Sequence, residues 1–346
     1  MTYVIIFVVV FAVIVVVHEW GHFIAAKKMG VQVNEFAIGM GPKLWSKQKD
    51  ETLYTIRLLP IGGFCAMEGE NEQPDEKTVP TEGSLSSKTP MQRIIIFAAG
   101  AFMNLVLVWV LLSIYTGYNG YSSNVVKGVI EDSPIAAAGV VAGETILAVD
   151  GVNVYTLAEF VAQLTDDKEV YTLTIEGVDG QIRLISVAPV IREGGMQFGF
   201  YAETKSLGIF ESIWKGLTNS WILVKEVCKG FVSIVTGQVE VKELAGIVGV
   251  AQITTEIWDS SVQEGLLNGL MSMVYITALL SANLAVLNLI PFPALDGGRI
   301  FFTLIELVRG KPLDANKEAA VHFVGFVLLM VLMVVVFYND IVRLVA

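Results

Sequence analysis

VIIFVVVFAVIVVVHEWGHFIAA, residues 4–26, is an apolar run that ends in two histidines and a glutamate. A helix of about 20 apolar residues is long enough to cross the hydrocarbon core of a bilayer. Only Met1, Thr2 and Tyr3 precede the run, none of them basic, and no small-residue cleavage site follows it. We therefore interpret the run as a retained membrane span and not as a cleaved signal peptide.

The end of this span carries His18-Glu19-Trp20-Gly21-His22, the His-Glu-x-x-His pattern. Positions four apart share one face of a helix, so His18 and His22 can bind one zinc ion. Glu19 lies beside that face and can accept a proton from zinc-bound water. A chance match is the alternative, but His and Glu inside a membrane span are costly to bury and usually functional. The pattern therefore predicts a zinc centre.

Two histidines leave a catalytic zinc one protein ligand short. We predict that Asp296 is the third ligand, because Pro291 and Pro293 break the preceding apolar helix. A broken helix at membrane depth is tolerated where it lines a cavity. The alternative is that Asp296 caps a helix that begins at Arg299. His322 could compete as a ligand, but it has no companion motif and is assigned to packing.

The composition is that of a membrane protein. Hydrophobic residues make up 54% of the 346 residues and charged residues 16%, whereas a soluble chain carries about 25% charged residues. The net charge of −11 argues against nucleic acid as a partner. The two cysteines, Cys65 and Cys228, provide neither a disulfide framework nor a cysteine zinc site.

Four segments are long and apolar enough to span a membrane. They are residues 4–26, 92–116, 266–290 and 320–338. The short connection between the third and fourth segments holds Arg299, Arg309, Lys311 and Lys317. Because Lys and Arg concentrate in cytoplasmic loops, we predict a multi-pass protein of the inner or plasma membrane with both termini extracytoplasmic.

The connections between the spans contain further predicted elements. Residues 35–67 alternate as a β-hairpin, closed by Gly62-Gly63, which either stays in the cytoplasm or dips into the membrane. Polar residues 68–88 indicate a flexible linker. Residues 121–200 predict a small α/β domain with strands at 125–130, 145–149, 171–176 and 182–188 and a helix at 157–164. Residues 201–265 predict amphipathic helices on the membrane surface.

The His18–His22 pattern, together with Asn288 to Gly298, resembles the paired motifs of the site-2 protease family. The closer resemblance is to its bacterial branch, typified by the regulator of sigma-E protease. Gly100 and Asn104 are similar to that family's second-span Gly-x-x-x-Asn motif. Residues 126–130, 133–139 and 142–151 are similar to its PDZ domain, and Gly246-Ile-Val-Gly249 to a segment after that domain. The resemblance covers nearly the whole chain, which departs from the type member in having one PDZ-like unit and not two.

The resemblance implies an α-helical polytopic membrane protein with four transmembrane helices, a membrane-associated hairpin and an inserted PDZ-like domain. Residues 1–120 would hold the first two spans and the re-entrant hairpin, 121–200 the extracytoplasmic PDZ-like domain, 201–265 the surface helices and 266–346 the last two spans. His18, His22 and Asp296 would bind Zn²⁺, with Glu19 as the base. Asn288 would donate to the oxyanion or form an interhelical hydrogen bond, and Asn104 would be structural or substrate-positioning.

The implied function is hydrolysis of peptide bonds inside the transmembrane segments of single-span proteins that have already been trimmed. Anti-sigma factors and signal-peptide remnants are the expected substrates, with membrane lipid as the surroundings. One alternative is a membrane zincin that cuts substrates outside the bilayer. Another is an inactive PDZ-containing scaffold, which the intact His18, Glu19, His22 and Asp296 argue against.

Overall fold

The computed structural model describes residues 2–70, 81–165, 168–192, 195–238 and 245–345. These residues form two compact units. One unit combines Met1–Tyr115 with Ile213–Ala346, and the other is Thr116–Ser212. The centre of the predicted linker, residues 71–80, lies outside the described residues.

Nine helices lie in the described part of the chain. They are α1 (Thr2–Lys28), α2 (Pro90–Asn119), α3 (Pro134–Ala137), α4 (Leu157–Ala162), α5 (Ile209–Val235), α6 (Ile247–Gln263), α7 (Leu266–Leu289), α8 (Asp296–Arg309) and α9 (Ala315–Val345). Four of them, α1, α2, α7 and α9, are long and apolar enough to cross a membrane. The prediction of four apolar spanning helices is confirmed, although most of these helices extend beyond the predicted ends. The predicted surface region contains α5 and α6, and α5 exposes Phe210, Trp214 and Trp221.

Small residues let the apolar helices approach one another closely. A Cβ atom at Gly21 of α1 would lie 2.3 Å from the carbonyl oxygen of Ala99 in α2, so only glycine fits there. Ala278 and Ala282 of α7 are fully buried in a cluster with Val108 of α2. Lipid chains are as apolar as these side chains, so close packing, and not exclusion from water, favours such helix contacts in a membrane.

A β-sheet follows the first helix. Strands β1 (Val33–Lys49) and β2 (Thr52–Met67) pair antiparallel as the predicted hairpin. The turn lies at Asp50 and Glu51, where Asp50 has a φ of 52°. The prediction that Gly62-Gly63 close the hairpin is wrong, because both glycines lie inside β2.

Because the register shifts along these two long strands, some of their residues pair with two different segments. Residues 35–38 pair with 53–56 and also with 63–66. Residues 53–55 in turn pair with 46–48. Within the described residues, the segment 63–67 is therefore paired along one side only and forms an edge of the sheet.

The unit Thr116–Ser212 contains a six-stranded sheet. Its strands and the short pair beside it are β3 (Tyr121–Val129), β4 (Thr145–Val149), β5 (Val152–Asn153), β6 (Tyr171–Glu176), β7 (Ile182–Val187), β8 (Val190–Arg192), β9 (Gly195–Gln197) and β10 (Phe200–Lys205). The sheet order is β10-β3-β4-β6-β7, with β5 on β4. The four predicted strands match β3, β4, β6 and β7, and the predicted helix matches α4. Strand β10, which pairs with β3, was not predicted.

An ion pair in this unit joins strand β7 to the residue just before strand β4. Arg183 donates two hydrogen bonds to the buried Glu144 carboxylate, at 2.6 and 2.7 Å. These bonds hold the pKa of Glu144 below its usual range. The core beneath includes Tyr171, Leu173 and Ile175, all fully buried on β6. The inserted sequence thus has its own apolar core, as an independent domain requires.

The N-terminus of α6 is capped from a distant helix. The backbone N–H groups of Gly246 and Gly249 donate to the two carboxylate oxygens of Asp340 in α9, at 3.1 and 2.9 Å. A Cβ at Gly246 would lie 2.7 Å from an Asp340 oxygen, which explains why glycine occupies this position. Asp340 is buried, and it satisfies two amides that a capping box would otherwise serve.

Candidate metal centre

Three donor atoms from two distant parts of the chain meet in one place. His18 Nε2 and His22 Nε2 lie 3.2 Å apart on α1. Oδ2 of Asp296, at the start of α8, lies 3.2 Å from the first and 3.3 Å from the second. The predicted ligand trio is therefore brought together, whereas His322 lies outside this group.

The triangle has the dimensions of one face of a tetrahedral zinc site. In a tetrahedron the corners are about 1.6 times as far from each other as from the centre, so ligands about 2.0–2.1 Å from zinc lie about 3.3–3.4 Å apart. The three measured distances of 3.2, 3.2 and 3.3 Å match this spacing. Oδ2 of Asp296 is also buried without a hydrogen-bond partner among the described residues. The donor set thus fits a cation with one coordination position left open.

The other ring nitrogens explain how the imidazoles are oriented. Nδ1–H of His22 donates to the carbonyl oxygen of Ile96 at 2.8 Å, which leaves its Nε2 free to bind a metal. Nδ1 of His18 lies 3.3 Å from the amide nitrogen of Asn104, whose own Oδ1 is buried with no partner in the described part of the chain. Turning this amide by 180° lets Oδ1 accept from Nδ1–H of His18. That arrangement satisfies the orphan oxygen and also frees Nε2 of His18.

Gly100 makes room for both rings. A Cβ at this position of α2 would lie 2.3 Å from Nε2 of His22 and 2.7 Å from Cε1 of His18. From sequence alone, Gly100 was recognised only as part of a family motif and was not placed at the site. Its spacing of four from Asn104 was the available signal, because it puts both residues on one face of α2.

The chain reaches Asp296 through a tight loop between α7 and α8. Asp296 is the first residue of α8 and Leu295 is its N-cap, so the alternative that Asp296 caps a helix from Arg299 does not hold. A Cβ at Gly297 would lie 2.2 Å from the carbonyl oxygen of Ile290, which shows how closely the loop folds over the helix start.

The electrostatics favour an ionised Asp296. Burial raises the pKa of this carboxyl group, but when the two imidazoles are protonated their hydrogen bonds and positive charge outweigh burial and lower it. An ionised carboxylate is the form that binds a cation. Burial raises the pKa of the nearby Cys65 thiol, which keeps it protonated and unsuited to be a ligand.

A cavity of about 680 Å³ opens beside the donor triangle. Glu19 and Asn288 line it together with the three donor residues. Nδ2 of Asn288 lies 3.4 Å from Nε2 of His18, at the end of α7. The β2 segment 62–67 forms another wall. The cavity thus places the carboxyl group of Glu19, an amide and a strand edge around one metal-binding face.

An ion pair at the cavity wall was not predicted. Glu70 accepts a hydrogen bond from Arg299, one turn after Asp296 on α8. The Arg299 guanidinium also lies 5.5 Å from the ring centre of Phe97 in α2. The pair joins the end of the β-sheet to the helix that carries Asp296. Its two residues are far apart in sequence, so no local pattern could indicate it.

Comparison with known proteins supports a metallopeptidase. Residues 6–332 match the model of peptidase family M50. A Clostridium perfringens protein provisionally named a zinc metalloprotease is 38% identical over 98% of both chains. Zinc metalloprotease RasP of Bacillus licheniformis is 31% identical, over 99% of this chain and 100% of its own. The regulator of sigma-W protease RasP of Bacillus subtilis is 30% identical, over 99% and 98%.

The close approach at Gly100 leads to a first prediction. We expect Gly100→Ala to lower zinc affinity by about tenfold or more, because the added methyl group occupies the space of the His22 ring. The measurement is zinc content per chain after purification at limiting free zinc. Gly230→Ala is the matched control, since a Cβ there meets nothing within 4 Å. Full zinc content in both variants would show that the rings do not need the contact.

Proposed function

This chain belongs to peptidase family M50, and from that premise we propose how its residues perform intramembrane proteolysis. It is a zinc metalloendopeptidase of the site-2 protease type, with Zn²⁺ as its cofactor. The observation that carries the assignment of residues is the triangle of donor atoms from His18, His22 and Asp296. These three side chains would hold the zinc ion.

Zinc held by His18, His22 and Asp296 would act as a Lewis acid and would make a water molecule easier to deprotonate. Glu19 takes a proton from the attacking water and returns it to the departing amine nitrogen. Its position supports this role, because it lines the same cavity as the donor triangle without belonging to the triangle.

Asn288 and Asn104 have different proposed roles. The Asn288 amide faces the cavity and lies 3.4 Å from Nε2 of His18, so it can donate to the oxygen that becomes negative as the peptide bond is attacked. Asn104 is fully buried against the other side of the same ring. Asn104 orients the His18 ring and does not reach the substrate. Hydrogen-bond partners of metal-binding histidines commonly have this orienting role.

The substrate is held as an extended strand at the 63–67 edge of the sheet. A transmembrane helix hides its peptide bonds, so it must unwind before they can be cut, and unpaired backbone groups are costly in a membrane. An edge strand offers them new partners. The support is that segment 63–67 pairs with β1 on one side and lines the cavity on the other. A hairpin that pairs with a transmembrane substrate must itself enter the membrane, so the hairpin is a membrane-re-entrant element.

The substrates are single-span membrane proteins already trimmed outside the bilayer. The Bacillus subtilis relative is named a regulator of sigma-W protease, which supports anti-sigma factors as one substrate class. Signal-peptide remnants have the same chemistry, a single apolar helix with one short end. The position of His18 inside a helix long and apolar enough to span a membrane favours these over soluble proteins, which a zincin at the surface would cut.

The inserted unit is a PDZ-like domain on the extracytoplasmic side. The strands β3, β4, β6 and β7, with the short helices α3 and α4, support the PDZ-like assignment. The basic connection between α7 and α9 supports a cytoplasmic location for residues 290–315 and hence an extracytoplasmic location for both termini.

The division of roles at the metal centre predicts two different defects. Asp296→Asn should lower both zinc affinity and cleavage, because it weakens a charged ligand. Glu19→Gln should abolish cleavage but keep zinc, because a base is not a ligand. Metal content and cleavage of a model single-span substrate in proteoliposomes measure both effects. Full zinc and normal cleavage in Asp296→Asn would require a different third ligand, and a soluble substrate cut as fast as the spanning one would favour a surface zincin.

Proline substitution tests the strand edge. Consecutive N–H groups of a strand point to opposite sides, so one of Phe64 and Cys65 directs its N–H towards the cavity. Proline at that position should reduce cleavage about tenfold, which is about 1.4 kcal/mol, with zinc content and melting temperature retained. Proline at the other position should instead lower the melting temperature. Normal cleavage by both variants would rule out strand addition at this edge.

Cysteine labelling tests the orientation. In a background of Cys65→Ala and Cys228→Ser, an impermeant maleimide on intact cells should label a Val178→Cys variant, since Val178 is exposed in the inserted unit. It should label a Lys311→Cys variant only after the membrane is permeabilised. The reverse pattern would invert the proposed topology.

A further inference from the structure

We propose that His322 and Gly325 of α9 are positioning residues that hold the loop before Asp296, and so keep this carboxylate on the two histidines. The inference rests on the proposed zinc site. It assigns to the last described helix a role in building the metal centre, although no residue of that helix is among the donor atoms.

Helix α9 is almost entirely exposed, which makes its few contacts informative. Among the described residues of α9, only Gly325 and Asp340 are buried. Asp340 caps α6, as described above. Gly325 and His322 are three residues apart and share one face of the helix. That face meets the loop between α7 and α8, two residues before Asp296.

Gly325 permits a close backbone approach to this loop. A Cβ at Gly325 would lie 2.5 Å from Cβ of Pro293 and 2.6 Å from its carbonyl oxygen. Any larger residue would push the loop and α9 apart. Pro293 itself has a fixed φ angle, so the loop cannot easily yield at this point.

His322 binds the next residue of the loop. The backbone N–H of Ala294 donates to Nδ1 of His322 at 2.9 Å. Nδ1 must therefore be unprotonated, and the ring proton lies on Nε2. The ring also contacts Phe302 of α8, with ring centres 5.3 Å apart. His322 thus joins α9, the loop and α8 through one side chain.

Ala294 needs such support because its backbone is strained. Its φ is +78°, in the left-handed region that residues other than Gly, Asn and Asp rarely adopt. Strained residues persist only where their surroundings hold them. Ala294 is two residues from Asp296, so releasing it moves the carboxylate, and metal ligands must keep their positions to within about 0.5 Å.

The positioning role also accounts for His322, which the sequence left as a competing candidate for the third zinc ligand. Its Nδ1 is occupied by the Ala294 N–H, and it is not in the donor group. Its Nε2 lies 3.9 Å from Oε1 of Glu318, one turn earlier on α9. Glu318 therefore provides a neighbour that can be changed without touching the loop contact.

The test measures metal binding and not only cleavage. Zinc dissociation constants from chelator competition, and the visible absorption spectrum of the cobalt-substituted full-length protein, report on the ligand geometry. His322→Phe should weaken zinc binding about tenfold and change the cobalt spectrum, as loss of a supporting contact does. His322→Asn, which retains an acceptor near Nδ1, should bind zinc within about threefold of wild type. Glu318→Gln should match wild type.

A double variant separates positioning from general damage. Glycine adopts a φ of +78° without strain, so Ala294→Gly combined with His322→Phe should recover most of the zinc affinity that His322→Phe alone loses. Wild-type affinity and spectrum in His322→Phe would overturn the proposal. Equal loss in His322→Asn and His322→Phe would overturn it too, and so would a double variant that recovers nothing. The Asp296→Asn variant tests the proposed zinc site separately from the role of His322. If this variant retains zinc, the proposed zinc site itself is wrong.

Discussion

Three electron-pair donors crowded within 3.3 Å of one another are the constraint on which this structure depends. Unless a cation or a proton lies between them, the lone pairs of His18, His22 and Asp296 repel one another at these distances. The fold holds them together from several sides. Ile96 and Asn104 of α2 orient the two rings, while the loop between α7 and α8 delivers the carboxylate. The proposed zinc site is thus a product of packing among helices that are distant in sequence.

The packing that achieves this relies on missing side chains. Gly21 and Gly100 bring α1 and α2 close enough for the imidazoles to lie against the second helix. Gly297 lets the start of α8 fold under the end of α7. Because apolar burial gives little advantage inside lipid, contact distance itself is the main source of stability there. Each of these glycines therefore affects the metal geometry as well as the fold.

The sequence predicted the parts of this molecule that depend on local patterns. Hydropathy located the four spans, and the spacing of His18 and His22 predicted a shared face. Asp296 was predicted as a third ligand from chemical need, because two histidines leave zinc one ligand short, and the structure places its carboxylate beside both histidines. The misses involve pairings between remote residues. The hairpin was expected to end at Gly62-Gly63, whereas β2 continues to Met67 and its last residues pair with the start of β1. Gly100, and the Glu70–Arg299 pair, became visible only once the helices were in place.

The contacts of α9 have a consequence for biosynthesis. A ribosome makes His18 and His22 first, Asp296 much later, and His322 and Asp340 after that. The amides at the start of α6 lack their carboxylate, and Ala294 lacks its acceptor, until these last residues have been synthesised. On the proposed role of His322, the metal centre therefore reaches its final geometry only after α9 has been made.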